Sequence, residues 1–285
     1  MQEPELRIVD EELEKLLKEM ARLYRYDFTA YSRESLKRRI NRVLLLKKIP
    51  SIAELHYQVT TDPDFFAYLV EQITVNVTEM FRNPAFFHTL RQEVFPILAQ
   101  EPFIRIWHAG CSTGEEVYSL AILLQEANLL NRTLLYGTDL NPHVLQQAKS
   151  GLFHVANLKT YSENYLQSGG TSSLSDYYTV RYNQALFSDE LRQRMVFSVH
   201  NLVSDQSFNE FNLILCRNVL IYFNRDLQDR VFNLFTESLP AGGILALGAK
   251  ETLVHSTSKD AYTYLNREQK IWMKSGSASY AGKKI

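Results

Sequence analysis

The first third of the chain carries a helical rhythm. Over 10–23, apolar residues fall at 13, 16, 17, 20 and 23, the spacing of a helix with one buried face. Leu36, Ile40, Val43 and Leu44 repeat it. Ser51-Ile52-Ala53-Glu54 has the form of a capping box. Asp62-Pro63 sets a cap and a first-turn proline before a helix over 65–73. Asn83-Pro84 and Asn141-Pro142 give the same start signal, so a helix over 84–98 leads into a first strand. From 103 onward the rhythm changes. Short apolar or alternating runs near 103–108, 133–138, 195–199, 211–216, 243–248 and 270–274 predict strands. Helices near 115–128, 142–149 and 225–238 lie between them. This alternation predicts an α/β domain with a mostly parallel sheet and helices on both faces. Its ligand would lie outside the carboxyl ends of the strands. The stretch 168–187 departs from the pattern: a Ser/Gly loop precedes a β-prone run over 177–182, read as a small antiparallel insertion.

Composition adds limits rather than direction. A chain of 285 residues with 45% hydrophobic content holds one large or two modest domains with a substantial core. Thirty-one basic residues against 32 acidic ones give a net charge of −1, so nothing attracts nucleic acid globally. The acidic start over 3–19 is no signal peptide, and no apolar run is long enough to span a bilayer. Two cysteines without metal-like spacing fit a reducing cytoplasm and no metal site. Cys111 lies in a glycine turn and Cys216 ends a strand. Neighbouring strands would bring the thiols close; alternatively both are small buried fillers. The last ten residues, 276–285, are small and polar and are expected to be disordered.

The chemistry concentrates at predicted strand ends. Ile104-Arg105-Ile106-Trp107-His108-Ala109 runs into Gly110-Cys111-Ser112-Thr113-Gly114-Glu115-Glu116, a strand, a small-residue turn and a helix start. Glycine permits positive φ and close approach, and the helix N-terminus offers unpaired N–H groups. Asp139 ends the next strand 25 residues after Gly114, near the interval of about 20 residues that suits ribose hydroxyls. The turn is Gly-x-x-x-Gly rather than the dinucleotide pattern, and Glu115 and Glu116 would repel a pyrophosphate there. They would tolerate S-adenosylmethionine, which carries a sulfonium and an ammonium and no phosphate. Both glutamates equally suit a helix first turn, where the macrodipole favours acids.

Three further runs stand out. Asn76-Val77-Thr78-Glu79-Met80-Phe81-Arg82 joins the helical part to the sheet part and mixes amide, hydroxyl and guanidinium groups. Such a junction can close over a cleft or be a plain capped connector. Cys216-Arg217-Asn218-Val219-Leu220-Ile221-Tyr222-Phe223 follows a strand, where Asn218 can serve the cofactor's ammonium and carboxylate. Tyr222 can face the methyl group there, or simply pack. His200-Asn201-Leu202 follows another strand, where an asparagine can read an adenine edge and a leucine its face. Separately, Arg33, Lys37, Arg38, Arg39, Arg42, Lys47 and Lys48 cluster in one predicted helix. That face is either simply solvated or a docking surface for an acidic partner.

Together these motifs resemble the chemotaxis receptor glutamate methyltransferases over roughly 10–275. The likeness includes the Asn-Val-Thr-Glu-Met-Phe-Arg junction, the Ser-Thr-Gly-Glu-Glu turn and Asp139 with Gln147-Ala148-Lys149-Ser150-Gly151-Leu152-Phe153. It also includes the Cys-Arg-Asn-Val-Leu-Ile-Tyr-Phe run and Leu239-Pro240-Ala241-Gly242-Gly243. The resemblance implies a class I S-adenosylmethionine-dependent methyltransferase (Rossmann-like) domain, an N-terminal all-helical domain and a small antiparallel β insertion. The expected division is 1–82 helical, 83–102 a linker helix, 103–275 methyltransferase with the insertion about 168–195, and a 276–285 tail. It implies cofactor contacts at Asn76, Thr78, Arg82, Glu116, Asp139, Asn201, Leu202, Arg217 and Asn218. Arg82 and Tyr222 are the implied catalytic residues.

The implied reaction is direct methyl displacement from the sulfonium to a receptor glutamate. A glutamate is already ionised at neutral pH, with an ordinary pKa of about 4.3, so no general base is required. Catalysis would rest on alignment and water exclusion, with Arg82 orienting the carboxylate and Tyr222 lining the site. The expected partners are methyl-accepting receptors with acidic helical bundles, met through the basic helix over 33–48; in some members the β insertion grips a receptor's C-terminal peptide. No nucleic acid, no membrane insertion and a monomer are expected. A nucleic-acid methyltransferase fits poorly, because amino-directed enzymes carry Asn/Asp-Pro-Pro-aromatic where this chain has Cys-Arg-Asn-Val. A non-catalytic sensor retaining the pocket, and a glutamate methyltransferase serving another signalling output, are the other readings.

Overall fold

The computed structural model describes residues 8–74 and 77–276. Asn76, the segment 1–7 and the tail 277–285 lie outside the described residues. The chain divides into two compact units, one formed by Met1–Asn76 with Tyr222–Gln228 and the other by Val77–Ile221 with Asp229–Ile285.

The first unit is helical: α1 Asp10–Tyr24, α2 Arg33–Lys47, α3 Ile52–Thr61 and α4 Pro63–Ile73. Most of the apolar stripe read from the sequence lies in its core, with Leu13, Leu16, Leu17, Met20 and Ile40 fully buried beside Leu55 and Leu69, whereas Leu23 at the end of α1 is exposed. Ser51 Oγ accepts from the Glu54 N–H at 3.2 Å, while the Glu54 carboxylate accepts from Gln58 instead of turning back. Only half of the capping box forms. Asp62 Oδ1 caps α4 through the N–H groups of Asp64 and Phe65 at 2.9 and 3.1 Å. The segment 222–228 joins this unit by main-chain pairing. Tyr31 bridges Phe223, the Ser32 N–H donates to the Tyr222 carbonyl at 2.8 Å, and the Asn224 N–H donates to the Ala30 carbonyl at 2.9 Å.

The second unit opens with α5 Pro84–Thr89, a π-helical turn Leu90–Val94 and α6 Phe95–Leu98. The expected helix over 84–98 therefore changes pitch midway. Pro96 has no N–H to return to the previous turn, and the Phe95 N–H reaches the Leu90 carbonyl, a five-residue step. Asn83 does not act as the expected side-chain cap. Its φ is +63°, whereas side-chain capping requires the extended region.

The remaining elements are β1 Ile104–Ala109, α7 Glu115–Glu126, β2 Thr133–Asp139, α8 Pro142–Ser150, β3 Leu152–His154, α9 Leu158–Gln167, β4 Tyr178–Arg181, β5 Gln184–Phe187, α10 Asp189–Arg192, β6 Met195–Val199, β7 Leu213–Cys216, α11 Arg225–Glu237, β8 Ile244–Leu247, β9 Tyr262–Asn266 and β10 Ile271–Lys274. Helix α11 begins in the first unit and continues in the second. Among the described residues the main sheet has the order β6-β2-β1-β7-β8-β10-β9. Pairing is parallel from β6 to β8 and antiparallel through β10 and β9. The predicted parallel sheet is present; α9 and the edge strand β9 were not anticipated.

A second, antiparallel sheet has the order β3-β5-β4. Its strand Leu152–His154 precedes the stretch expected to form the insertion. Strands β1 and β7 are neighbours, as the cysteine reading required, and Cys111 and Cys216 are both free and buried. Burial pushes both thiols well above the ordinary range, and nearby carboxylates add to the effect.

Candidate functional site: the carboxyl edge of the parallel strands

The parallel strands β1, β2 and β7 end beside one another, and the turns that follow them carry most of the polar groups singled out by sequence. The glycine turn after β1 bends back on β2: the N–H groups of Gly110 and Cys111 both donate to the Thr138 carbonyl, at 2.8 and 2.9 Å. Three positions in this turn have positive φ, Gly110 at +78°, Ser112 at +51° and Gly114 at +94°. The glycines are also sterically required. A Cβ on Gly110 would come within 2.4 Å of Val219 Cγ2, and one on Gly114 within 2.9 Å of Ala148 Cβ.

Asp139 sits at the end of β2 with its carboxylate anchored on both sides. Oδ2 accepts from the Ser112 N–H at 2.9 Å and Oδ1 from the Asn141 N–H at 3.0 Å. Burial pushes its carboxyl up, against the hydrogen bonds from Asn141, Ser112 and Leu140 that favour the ionised form. A carboxylate offers about four acceptor positions, so capacity remains beyond these three main-chain bonds. Beside it the buried Ser112 hydroxyl has no hydrogen-bond partner among the described residues.

Glu116, in the first turn of α7, is engaged on both oxygens. Oε1 meets His108 Nδ1 and Oε2 meets Arg217 Nη1, each at 3.0 Å. Burial raises its carboxyl, but the His108 hydrogen bond and the Arg217 charge outweigh burial and hold it below the ordinary range. Arg217 is buried after β7, its guanidinium 3.9 Å from the Phe86 ring centre, and its Nη2 donates to the Arg82 carbonyl at 3.1 Å. Arg82 is thus tied by its main chain to the strand edge. The same segment is held by the Phe81 N–H on Ser119 Oγ at 2.8 Å and by Asn164 Nδ2 on the Met80 carbonyl at 3.1 Å. The Arg82 side chain is half-buried and donates to the Val77 carbonyl at 3.2 Å. It forms no ion pair among the described residues.

The other expected residues are placed as follows. Thr78 is half-buried in the same junction as Arg82. Asn201 follows β6; its Oδ1 accepts from the Val203 N–H at 2.9 Å, so its own turn uses that oxygen and the amide nitrogen is left to donate. Leu202 is buried beside it. Asn218 has a positive φ of +65°. Tyr222 belongs to the helical unit, where the Arg39 guanidinium lies 5.0 Å from its ring centre. Sequence reasoning missed Ser112, His108 and Glu251. The signal for Glu251 was present, a carboxylate just beyond Gly248 at the end of a parallel strand.

The description "CheR methyltransferase, SAM binding domain" matches residues 76–270, and "CheR methyltransferase, all-alpha domain" matches 11–74. The chain belongs to the CheR methyltransferase family. It is 45% identical to the protein Cher3 of Pseudomonas putida over 94% of this chain and 98% of that one. It is 30% identical to a chemotaxis protein methyltransferase of Listeria innocua, over 80% of this chain and 85% of the relative. A chemotaxis protein methyltransferase of Salmonella typhimurium is 33% identical over 64% of this chain and 62% of its own.

The protein is therefore an S-adenosylmethionine-dependent methyltransferase with the CheR two-part fold. The strand edge fits that cofactor. Asp139 offers acceptors for hydroxyls, and the glycine turn allows close approach. Arg217, the buried cation there, already has its charge paired with Glu116. This pairing revises the charge argument from sequence: Glu116 is neutralised, so the bias against a pyrophosphate rests on Asp139 and on Glu115, buried and bonded by the Thr113 hydroxyl at 2.6 Å. No helix of the described residues is long and apolar enough to cross a membrane.

Proposed function

We propose that the protein transfers the methyl group of S-adenosylmethionine to glutamate side chains on the cytoplasmic helices of chemoreceptors, forming methyl esters for sensory adaptation. The names of the relatives support the chemotaxis setting. The observation that carries the acceptor chemistry is Arg82, a cation with no ion-pair partner among the described residues, whose main chain is bonded to Arg217 at the strand edge. An unpaired guanidinium there suits a carboxylate acceptor, which it can bind in a fixed, two-pronged geometry.

The bound cofactor supplies an electrophilic methyl group. Arg82 orients the incoming carboxylate against it, and the carboxylate arrives already ionised, so the chain need not provide a base. Pairing with a guanidinium blunts a nucleophile somewhat, so the gain comes from alignment. Asp139 binds the ribose hydroxyls. Asn76, Thr78, Asn201, Leu202 and Asn218 complete the cofactor contacts, and Glu116 and Arg217 contribute through the ion pair that braces Arg82. The protein acts as a cytoplasmic monomer that meets the acidic receptor bundle through α2. Arg38 and Arg42 are exposed there, whereas Arg33 and Lys37 pair within the unit with Glu14 and Asp10.

The test is methyl transfer from labelled S-adenosylmethionine to receptor-containing membranes, scored as base-labile methanol. Base-labile label on a receptor is expected. Arg82→Ala should abolish most turnover while S-adenosylhomocysteine still binds. Full turnover with only weaker cofactor binding would remove Arg82 from the acceptor site. The role that the family resemblance gives Tyr222 is tested alongside with Tyr222→Phe.

A further inference from the structure

Glu251 lies outside every motif read from the sequence, yet it is among the most heavily bonded carboxylates in the second unit. It follows β8, whose last residue Leu247 pairs with Cys216 at the end of β7. Its side chain is buried and turns toward the loop that leaves β7. Oε1 accepts from the N–H groups of Val219 and Leu220, both at 2.8 Å. Oε2 accepts from Asn218 at 3.0 Å and from Gly248 at 2.7 Å. Three consecutive main-chain N–H groups converging on one point form an anion-binding concavity; here the protein's own carboxylate fills it.

The cost of this arrangement is evident in its surroundings. Burial pushes the Glu251 carboxyl up, and the four N–H donors oppose the shift. Asn218 adopts a φ of +65°, a left-handed conformation open to asparagine but unfavourable for most other side chains. Gly248 is needed for the fit: a Cβ there would come within 2.7 Å of Glu251 Oε2 and 2.9 Å of the Asn218 nitrogen. A buried carboxylate, a left-handed asparagine and a sterically required glycine thus serve one short loop, the loop that carries Arg217 and Asn218.

We infer that Glu251 is a positioning residue for the cofactor: by gathering the N–H groups of residues 218–220 it holds Asn218 in the left-handed conformation that presents its amide to the amino-acid end of S-adenosylmethionine. The inference rests on the reading of the strand edge as the cofactor site. Glu251 touches neither the cofactor nor the methyl acceptor. Its effect belongs in cofactor binding and not in acceptor recognition.

Glu251→Gln keeps the side chain's length but presents an NH2 group to donors on one side. Gly248→Ala disturbs the same clamp from the opposite side without changing charge, and Asp139→Asn probes the cofactor site independently. S-adenosylhomocysteine binding by calorimetry, initial rates and the ligand-free melting temperature are read for each. Glu251→Gln is expected to weaken S-adenosylhomocysteine and raise KM for S-adenosylmethionine about tenfold, the scale of one misplaced hydrogen-bonded contact. The acceptor KM should stay unchanged and Glu251→Ala should be worse. Gly248→Ala should follow the same pattern, and it carries the test if Glu251→Gln does not fold. Native affinity in both clamp variants with loss in Asp139→Asn would overturn the role of Glu251 and leave the site standing. Native affinity in all three would overturn the site and the inference together.

Discussion

Arg217 holds Arg82 by its main chain, Nη2 of the one donating to the carbonyl oxygen of the other at 3.1 Å. The same guanidinium pairs with Glu116 and stacks on Phe86. A residue expected from sequence to touch the cofactor thus also braces another, and its buried Nε has no partner among the described residues. Arg217→Lys keeps the charge but cannot make both bonds and the stacking contact at once. Turnover is expected to fall about 10- to 100-fold, the scale of a small misplacement of a reacting group. S-adenosylhomocysteine affinity should change much less. Parallel rate and binding assays check this, and an equal loss in both would count against the bracing role.

The Glu116–Arg217 pair also predicts a pH dependence. The Glu116 carboxyl is held below its ordinary value of 4.5 in the folded protein. A depressed folded value means the stabilisation is complete above the unfolded value and is lost as pH falls through the folded one. The stability difference between the native protein and Glu116→Gln should be constant near neutrality and shrink below about pH 4.5. Urea unfolding across that range measures it. Glu116→Ala, which strands the buried Arg217 charge, should cost about 3–5 kcal/mol at neutral pH.

Gly110 couples the glycine turn to the loop after β7, because an added Cβ would overlap Val219 Cγ2 at 2.4 Å. Gly110→Ala should lose about 1–3 kcal/mol through overlap and positive-φ strain together. Adding Val219→Ala should restore the overlap part but not the strain. Thermal melts of the two single variants and the double separate the contributions.

On α2, Arg38 and Arg42 are exposed one helical turn apart. Reversing both charges to glutamate should slow receptor methylation at low salt and matter less as salt rises, because screening weakens exposed pairs. Initial rates at two ionic strengths test this, with S-adenosylhomocysteine affinity as the control. Unchanged low-salt rates would sink the docking role of α2.

Elements whose cause is local are legible along the chain. The apolar stripe at Leu13, Leu16, Leu17 and Met20 became the core of α1, and the caps at Ser51, Asp62 and Asn141 each receive a main-chain N–H. The strands carrying the glycine turn, Asp139 and the Cys-Arg-Asn run were legible for the same reason, since alternation and turn residues act over a few positions. What those side chains meet depends on packing between elements far apart in the chain. Glu116 is expected from sequence to meet the cofactor or to serve as a helix-start acid, and in the fold it also pairs with a histidine 8 positions before it and an arginine 101 positions beyond it. Tyr222 looked like part of the loop after β7, yet its carbonyl pairs with Ser32 in the helical unit. Glu251 became significant only when β8 lay beside β7 and brought its carboxylate to three N–H groups more than 30 residues earlier. Local periodicity says which face of an element is buried; it says nothing of which distant polar group will share that burial. That choice is set by strand order and by the need to satisfy every donor and charge removed from water.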